Sequence, residues 1–461
     1  MLCLFLLFFS SNRDCTHSKI IGLVNLRLYV SLKLFCFNAM QQRKNVIFVV
    51  SVGSLLLCLK LTADLKWWPR AQNELPTITS LYMSEVMTFI NEGYPITDSD
   101  KGPLTNLEQK DDISEGNEEI ILRKHISESL YKLAPNVFDA VPEEFLSKFR
   151  NPCWRSQLSG EGGLMTSPPL KCLPYFFLAG MPKSGTTDVH DKLHTHPQVF
   201  RARVKEPHWW TRKRFNGKSV LQYIRGQSIN IAKQLVKGSD PLIIMGDSSA
   251  STFWDNKKWR QFFPQENIGP RHLNAEVIST VLPKSKIIVT FRDPTARLFS
   301  DFHYFNKHDY DQGPSIFHSQ VIDYLRRFKS CLANKKDNRT CAYDLQTNST
   351  VRASIGLYSV YLRDWLKVFP RDQIKVIRLE DWQTNCTQML PQLFEFLQLR
   401  KLDSTDIKKT CLRHPSNVYT RPTKQMLPET KQLLKEFYQP FNVELAQLLN
   451  DDKYLWEDSA L

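Results

Sequence analysis

The segment Gly180-Met181-Pro182-Lys183-Ser184-Gly185-Thr186-Thr187 constrains the fold more than any other stretch of the chain. An apolar run, YFFLA over 175–179, leads into it, and a helical pattern over 186–194 follows. A strand, a glycine-bounded loop and a helix in that order aim backbone N–H groups and a helix N-terminus at one point, where an anion such as phosphate is favoured. The loop resembles a Walker A segment, but Lys183 precedes the second glycine, which is followed by Thr-Thr rather than Lys-Ser/Thr. Further apolar strands are expected over 242–245, 286–291 and 374–379, with helices over 295–305 and 388–397. Strands alternating with helices indicate an α/β chain: a P-loop-like three-layer sandwich with a central parallel sheet. A last amphipathic stretch, 429–449, reads as a helix interrupted at Pro440.

Two more motifs carry chemistry. Arg292-Asp-Pro-Thr-Ala-Arg297-Leu-Phe-Ser300 begins where the 286–291 strand ends, and ligands of such sheets bind at the C-terminal ends of strands. Arg292 offers bidentate recognition and Ser300 a neutral donor, which together suit a second phosphate. The same string also suits local ion pairs and caps. Two anion sites on one sheet imply a ligand with two separated phosphate groups. The other motif is Lys205-Glu206-Pro207-His208-Trp209-Trp210-Thr211-Arg212-Lys213-Arg214. An acid among bases and indoles suits a general base at the mouth of an anionic site. A solvated basic loop with tryptophan anchors is the plainer alternative.

The chain carries 61 Lys+Arg against 47 Asp+Glu, a net charge of +14. That surplus predicts an acidic partner: nucleic acid, an anionic membrane, a nucleotide or a polyanionic glycan. Topology narrows the choice. Residues 46–59 form an uncharged apolar run preceded by Arg43 and Lys44, the pattern of a type II signal anchor with the remainder lumenal. The run is short for a span; a cleaved signal peptide ending near Leu61-Thr62-Ala63 or a buried helix would also fit it. Beyond the run lie six cysteines, Cys153, Cys172, Cys331, Cys341, Cys386 and Cys411. An even number in an oxidising compartment suggests disulfides between sequence neighbours. None has the spacing of a zinc site, so no metal is expected. Asn338, Asn348 and Asn385 head N-glycosylation sequons. Together these features argue against nucleic acid.

GMPKSGTT, RDPTARLFS, KEPHWWTRKRF, GDSSASTFWDN and FYQPFN resemble the Golgi carbohydrate sulfotransferase family, and within it the N-acetylgalactosamine 4-sulfate 6-O-sulfotransferase branch. The likeness runs from about Cys153 to the C-terminus, and KEPHWWTRKRF is its most specific part. It implies an enzyme using 3′-phosphoadenosine 5′-phosphosulfate (PAPS) as co-substrate, without a metal, and a sulfated glycosaminoglycan as acceptor. Heparan, keratan or unsulfated galactosamine acceptors stay open, as do a P-loop hydrolase or kinase and a non-catalytic glycan binder. By resemblance, Lys183, Ser184, Gly185, Thr186 and Thr187 hold the 5′-phosphosulfate, and Arg292 and Ser300 the 3′-phosphate. Arg421 belongs to a basic loop over the nucleotide. Glu206 is the base and Lys183 neutralises charge on the leaving bridging oxygen; for His208 three readings stay open, orienting Glu206, a sugar contact, or a histidine packed beside Pro207. Lys205, Trp209, Trp210, Arg212, Lys213 and Arg214 meet the acceptor. Related enzymes carry a second lysine after the strand that ends here in Gly246-Asp247, where this chain has Ser248-Ser249. The expected organisation is an upstream extension (1–39), a cytoplasmic tail (40–45), the anchor (46–63), a lumenal stem (64–150) with a docked helix near 120–133, and the catalytic domain (151–461). The expected location is the Golgi membrane through one span; the oligomeric state stays open.

Overall fold

A computed structural model of the chain describes residues 126–155, 169–238, 240–265, 268–305, 313–334, 336–346, 351–414 and 425–457. The extension, tail, anchor and the stem as far as residue 125 lie outside the described residues, as do Asn348 and Arg421.

The main sheet contains β3 (Phe176–Gly180), β4 (Val199–Phe200), β5 (Ile244–Asp247), β6 (Lys286–Phe291) and β7 (Ile374–Arg378). Its order is β4-β5-β3-β6-β7, and every pair is parallel. Before it, β1 (Cys153–Arg155) and β2 (Leu170–Cys172) pair antiparallel with Cys153 opposite Cys172. The helices used below are α1 (Glu128–Leu133), α2 (Thr186–Leu193), α3 (Asn274–Val281), α4 (Pro294–Phe305), α5 (Gly313–Ala333), α6 (Tyr358–Leu366), α7 (Cys386–Phe396), α8 (Ser404–Cys411) and α9 (Pro428–Leu449).

Side chains alternate across a strand, and that period builds the two outer layers. Phe177 and Ala179 of β3, with Ile287, Val289 and Phe291 of β6, face one core formed with α3, α4, α5, α6 and α9. Phe176 and Leu178, with Ile288 and Ile377, face the other, formed with α2, α7 and α8. Full burial of one such side chain contributes ~1.5–3 kcal/mol. The central strands are therefore apolar on both faces, as a covered parallel sheet requires.

Three expectations shift, and one long helix is new. The 242–245 strand sits two residues later, because Leu242 is half exposed in the preceding turn while Gly246 and Asp247 enter the sheet. Helix α9 continues through Pro440. Leu434, Tyr438, Phe441 and Leu445 recur every three or four residues on its buried side, and their burial outweighs the ~3 kcal/mol that an internal proline costs. Helix α5, with Phe317, Val321, Tyr324 and Phe328 at the same spacing, was not foreseen. The docked helix appears as α1, whose Leu130 and Leu133 join the first core with Val137 and Phe138, so the end of the expected stem is part of the folded body.

All three expected cysteine pairs are disulfides: Cys153–Cys172, Cys331–Cys341 and Cys386–Cys411. The second ties α5 to the helix Asn338–Asp344, and the third ties α7 to α8.

Candidate active site

The strand order places a switch point at the sheet centre. The chain leaves β3 toward β4 on one side and leaves β6 toward β7 on the other, which opens a crevice at the C-terminal ends of β3 and β6. The loop after β3 fills it. Gly185 stands before α2 at φ 79°. A Cβ there would lie 2.5 Å from Leu379 Cδ1, so both backbone angle and space demand glycine. Ser184 is fully buried, and its Oγ has no hydrogen-bond partner. An unpartnered hydroxyl beside the N-terminus of α2 is what a bound anion would satisfy, so the loop fits a phosphate or sulfate group.

Arg292 leaves β6 toward this loop. Its Nη1 donates to the Lys183 carbonyl at 3.3 Å, and its own carbonyl accepts from the Tyr358 hydroxyl at 2.9 Å. Burial lowers the guanidinium pKa, while Glu380, Tyr358 and Asp293 oppose the shift. Lys183, at φ 66°, holds its Nζ 4.1 Å from the centroid of the Tyr304 ring. Burial lowers the ammonium pKa; Asp301 opposes this, and Arg292 and Arg352 add to it. Ser300 lies further along α4, half-buried. Two cationic side chains thus meet at one loop, an arrangement suited to a doubly phosphorylated nucleotide.

Glu206 reaches the same loop through a neighbour. Lys205 Nζ donates to Thr187 Oγ1 at 3.0 Å and to Glu206 Oε1 at 2.8 Å. Glu206 Oε2 lies 3.2 Å from His208 Nε2. Burial alone would raise the carboxyl pKa, but the hydrogen bonds and charges of His208 and Lys205 outweigh it and bring it to about 2. Glu206 and His208 both have positive φ, 55° and 49°. Ser251 Oγ meets His208 Nδ1 at 2.7 Å, and the His208 backbone N–H donates to Ser249 Oγ at 3.0 Å. Ser249 in turn donates to Asp247 Oδ1 at 2.6 Å. The serines after β5 therefore hold the carboxylate–imidazole pair in place. The sequence reading missed Ser249 and Ser251; the polar run GDSSAST after an apolar strand was the available signal.

The structure separates the remaining motif residues. Trp209 and Trp210 are 0% and 1% exposed. Trp209 stacks on Tyr223, and Trp210 meets Phe177 edge-on in the core. Neither is open to a sugar, which corrects their assignment to the acceptor. Arg214 is likewise buried, with its donors on the Trp210 and Leu133 carbonyls and on Asn274 Oδ1. It ties the motif to α1 and α3 and is not an acceptor contact. Arg212 is half-buried and pairs with Asp255 Oδ2 at 2.7 Å, and Lys213 is exposed. Asp247, which imitates the strand-end aspartate of a nucleotide hydrolase, accepts from the Tyr223 hydroxyl through Oδ2 at 2.6 Å as well as from Ser249. Burial raises its pKa. Both oxygens are committed inside the fold.

Comparison with known proteins agrees with this geometry. The family model described as "Sulfotransferase domain" matches residues 173–443. The chain is 32% identical to human carbohydrate sulfotransferase 15 over 395 residues, covering 72% of this chain and 69% of that protein. The mouse protein of the same name is also 32% identical, covering 70% and 67%. Human bifunctional heparan sulfate N-deacetylase/N-sulfotransferase 2 is 25% identical over 69% of this chain and 34% of its own. Among solved structures, a sulfotransferase from Alicyclobacillus acidocaldarius covers 61% of this chain and 97% of its own at 18% identity and a TM-score of 0.38, too loose a match to carry weight. With the matched domain spanning the phosphate loop, Glu206 and Arg292, the chain belongs to the sulfotransferase family.

Proposed function

We propose that this enzyme transfers the sulfuryl group of PAPS to the 6-hydroxyl of N-acetylgalactosamine 4-sulfate in chondroitin or dermatan sulfate. One observation carries the chemistry: a carboxylate, Glu206, is joined through Lys205 to the first turn of the helix that follows the anion loop. The acceptor identity is supported by the resemblance to proteins named carbohydrate sulfotransferase 15.

In this reading the loop 183–187 holds the 5′-phosphosulfate. Lys183 neutralises charge on the leaving bridging oxygen, and Arg292 with Ser300 holds the 3′-phosphate. Glu206 takes the acceptor proton, oriented by His208. A positioned base typically contributes ~10²–10⁴-fold. Arg212 and Lys213 meet the sulfated sugar, and Arg421 covers the nucleotide. The direct test incubates the protein with PAPS and a panel of glycosaminoglycans and analyses the product disaccharides. A 4,6-disulfated galactosamine unit is expected. Sulfation confined to heparan or keratan chains would replace the acceptor, and failure to bind PAPS would remove the reading.

The same proposal places the enzyme in the Golgi membrane, anchored through 46–63 with the folded body lumenal. Three disulfides suit an oxidising compartment, and the sequon residues Asn338 and Asn385 are exposed. Glycosidase treatment should increase the gel mobility of the expressed protein. A carbohydrate-free protein with a protease-sensitive cytosolic body would contradict this topology.

A further inference from the structure

The carboxylate proposed as base is tied up before any substrate is present. Glu206 Oε1 accepts from Lys205 Nζ, and Oε2 lies beside His208 Nε2. A carboxylate engaged by an ammonium on one oxygen and an imidazole nitrogen on the other is a weak proton acceptor. One of the two is fixed: His208 is anchored through Nδ1 by Ser251 and through its backbone by Ser249. The other is a flexible side chain, and its second contact is Thr187 Oγ1 in the first turn of α2, beside the anion loop. Lys205 thus stands with one donor on the base and another at the edge of the place where the sulfuryl group would sit. Directly after β5 stand serines and no lysine, with Ser248 Oγ engaged with His190 Nδ1 and Ser249 Oγ with Asp247. Lys183 Nζ meanwhile lies over Tyr304.

We infer that Lys205 is a catalytic residue that exchanges Glu206 for a sulfuryl oxygen of the donor, so the base is released only when the donor is in place. The inference rests on the function proposed above. An ammonium is a compact charge with three rotatable donors, suited to such an exchange. Its departure frees Glu206 Oε1 while His208 keeps the carboxylate oriented. In the step that follows, the acceptor oxygen forms the new S–O bond and its proton goes to Glu206 Oε1. The S–O bond to the 5′-phosphate breaks, and its electron pair leaves with adenosine 3′,5′-bisphosphate (PAP). Lys205, moved to the sulfuryl oxygens, offsets the charge that they carry through the transfer.

The two ligands PAPS and PAP differ by the sulfuryl group alone, so their affinities isolate the contact. Calorimetric titration of the full protein should show Lys205→Met weakening PAPS by about tenfold or more, the worth of a charge-assisted hydrogen bond. PAP should bind within about twofold of wild type, which also shows that the variant is folded. Lys205→Arg should restore part of the PAPS affinity, and kcat should fall by about 10²–10³-fold in Lys205→Met. Equal weakening of both ligands would mean that Lys205 only braces the loop, and unchanged affinity for both would mean that it never reaches the donor; either overturns the inference. A wild-type protein that binds neither ligand would instead defeat the proposed function.

Discussion

At Lys183, burial and the guanidinium groups of Arg292 and Arg352 lower the ammonium pKa, while Asp301 opposes them. The charge is held in a partly desolvated place, where one electrostatic contact counts most. Lys183→Ala should lower kcat by ~10²–10³-fold with an unchanged circular dichroism spectrum; retained activity would exclude the assigned role. Arg292→Ala should act differently, raising the donor KM more than it lowers kcat, as steady-state kinetics with varied PAPS would show. For Glu206 the sign of the pH effect is fixed by its partners. Its folded pKa is depressed to about 2, so its contribution to stability is present above the ordinary glutamate pKa and is lost as pH falls toward 2. Melting curves of wild type and Glu206→Gln should therefore differ near neutrality, begin to approach one another below about pH 4, and meet only as pH nears 2. The same variant should lose ~10²–10⁴-fold in sulfate transfer. Lys183, Glu206 and Arg292 stand out as candidates in the sequence because of their neighbours, and the structure gathers them around one loop. Trp209 and Trp210 could not, because the motif does not say which side of the chain faces the core.

The elements explain how those residues meet. Strand β3, Gly185 and helix α2 form one unit, and Leu379 packs against the glycine from the segment after β7. Gly185→Ala should abolish detectable PAP binding in calorimetry, since the new methyl group meets both a positive φ and a side chain at 2.5 Å. Wild-type affinity in that variant would show that the loop can move away from Leu379. Helix α9 illustrates a limit of local reading. Proline normally ends a helix pattern, yet Tyr438 and Phe441 on either side of Pro440 are both buried in the core. The tertiary contact decides the outcome there, as it does for α5, whose apolar stripe is diluted by polar residues on its other faces.

Across the whole molecule, disulfides pin the periphery to the layers. Cys386–Cys411 joins two helices of one face across 25 residues. Replacing both cysteines by serine should cost ~2–5 kcal/mol, read as a lower melting temperature with PAP affinity preserved, because the bridge joins α7 to α8 and leaves the anion loop and Arg292 untouched. An unchanged melting temperature would show that α7 and α8 need no covalent tie.

The sequence alone determined the layered α/β fold and the anion loop, since strand period and glycine placement are local properties; it suggested neighbouring cysteine pairs, and the tertiary structure fixed them. The strand order, and with it the crevice between β3 and β6, was decided only in three dimensions. So were the burial of both tryptophans, the passage of α9 through Pro440, and the placement of Lys205 between Thr187 and Glu206. Those outcomes depend on which distant surfaces bury one another, and the energy of that burial has no counterpart in any short window of the chain.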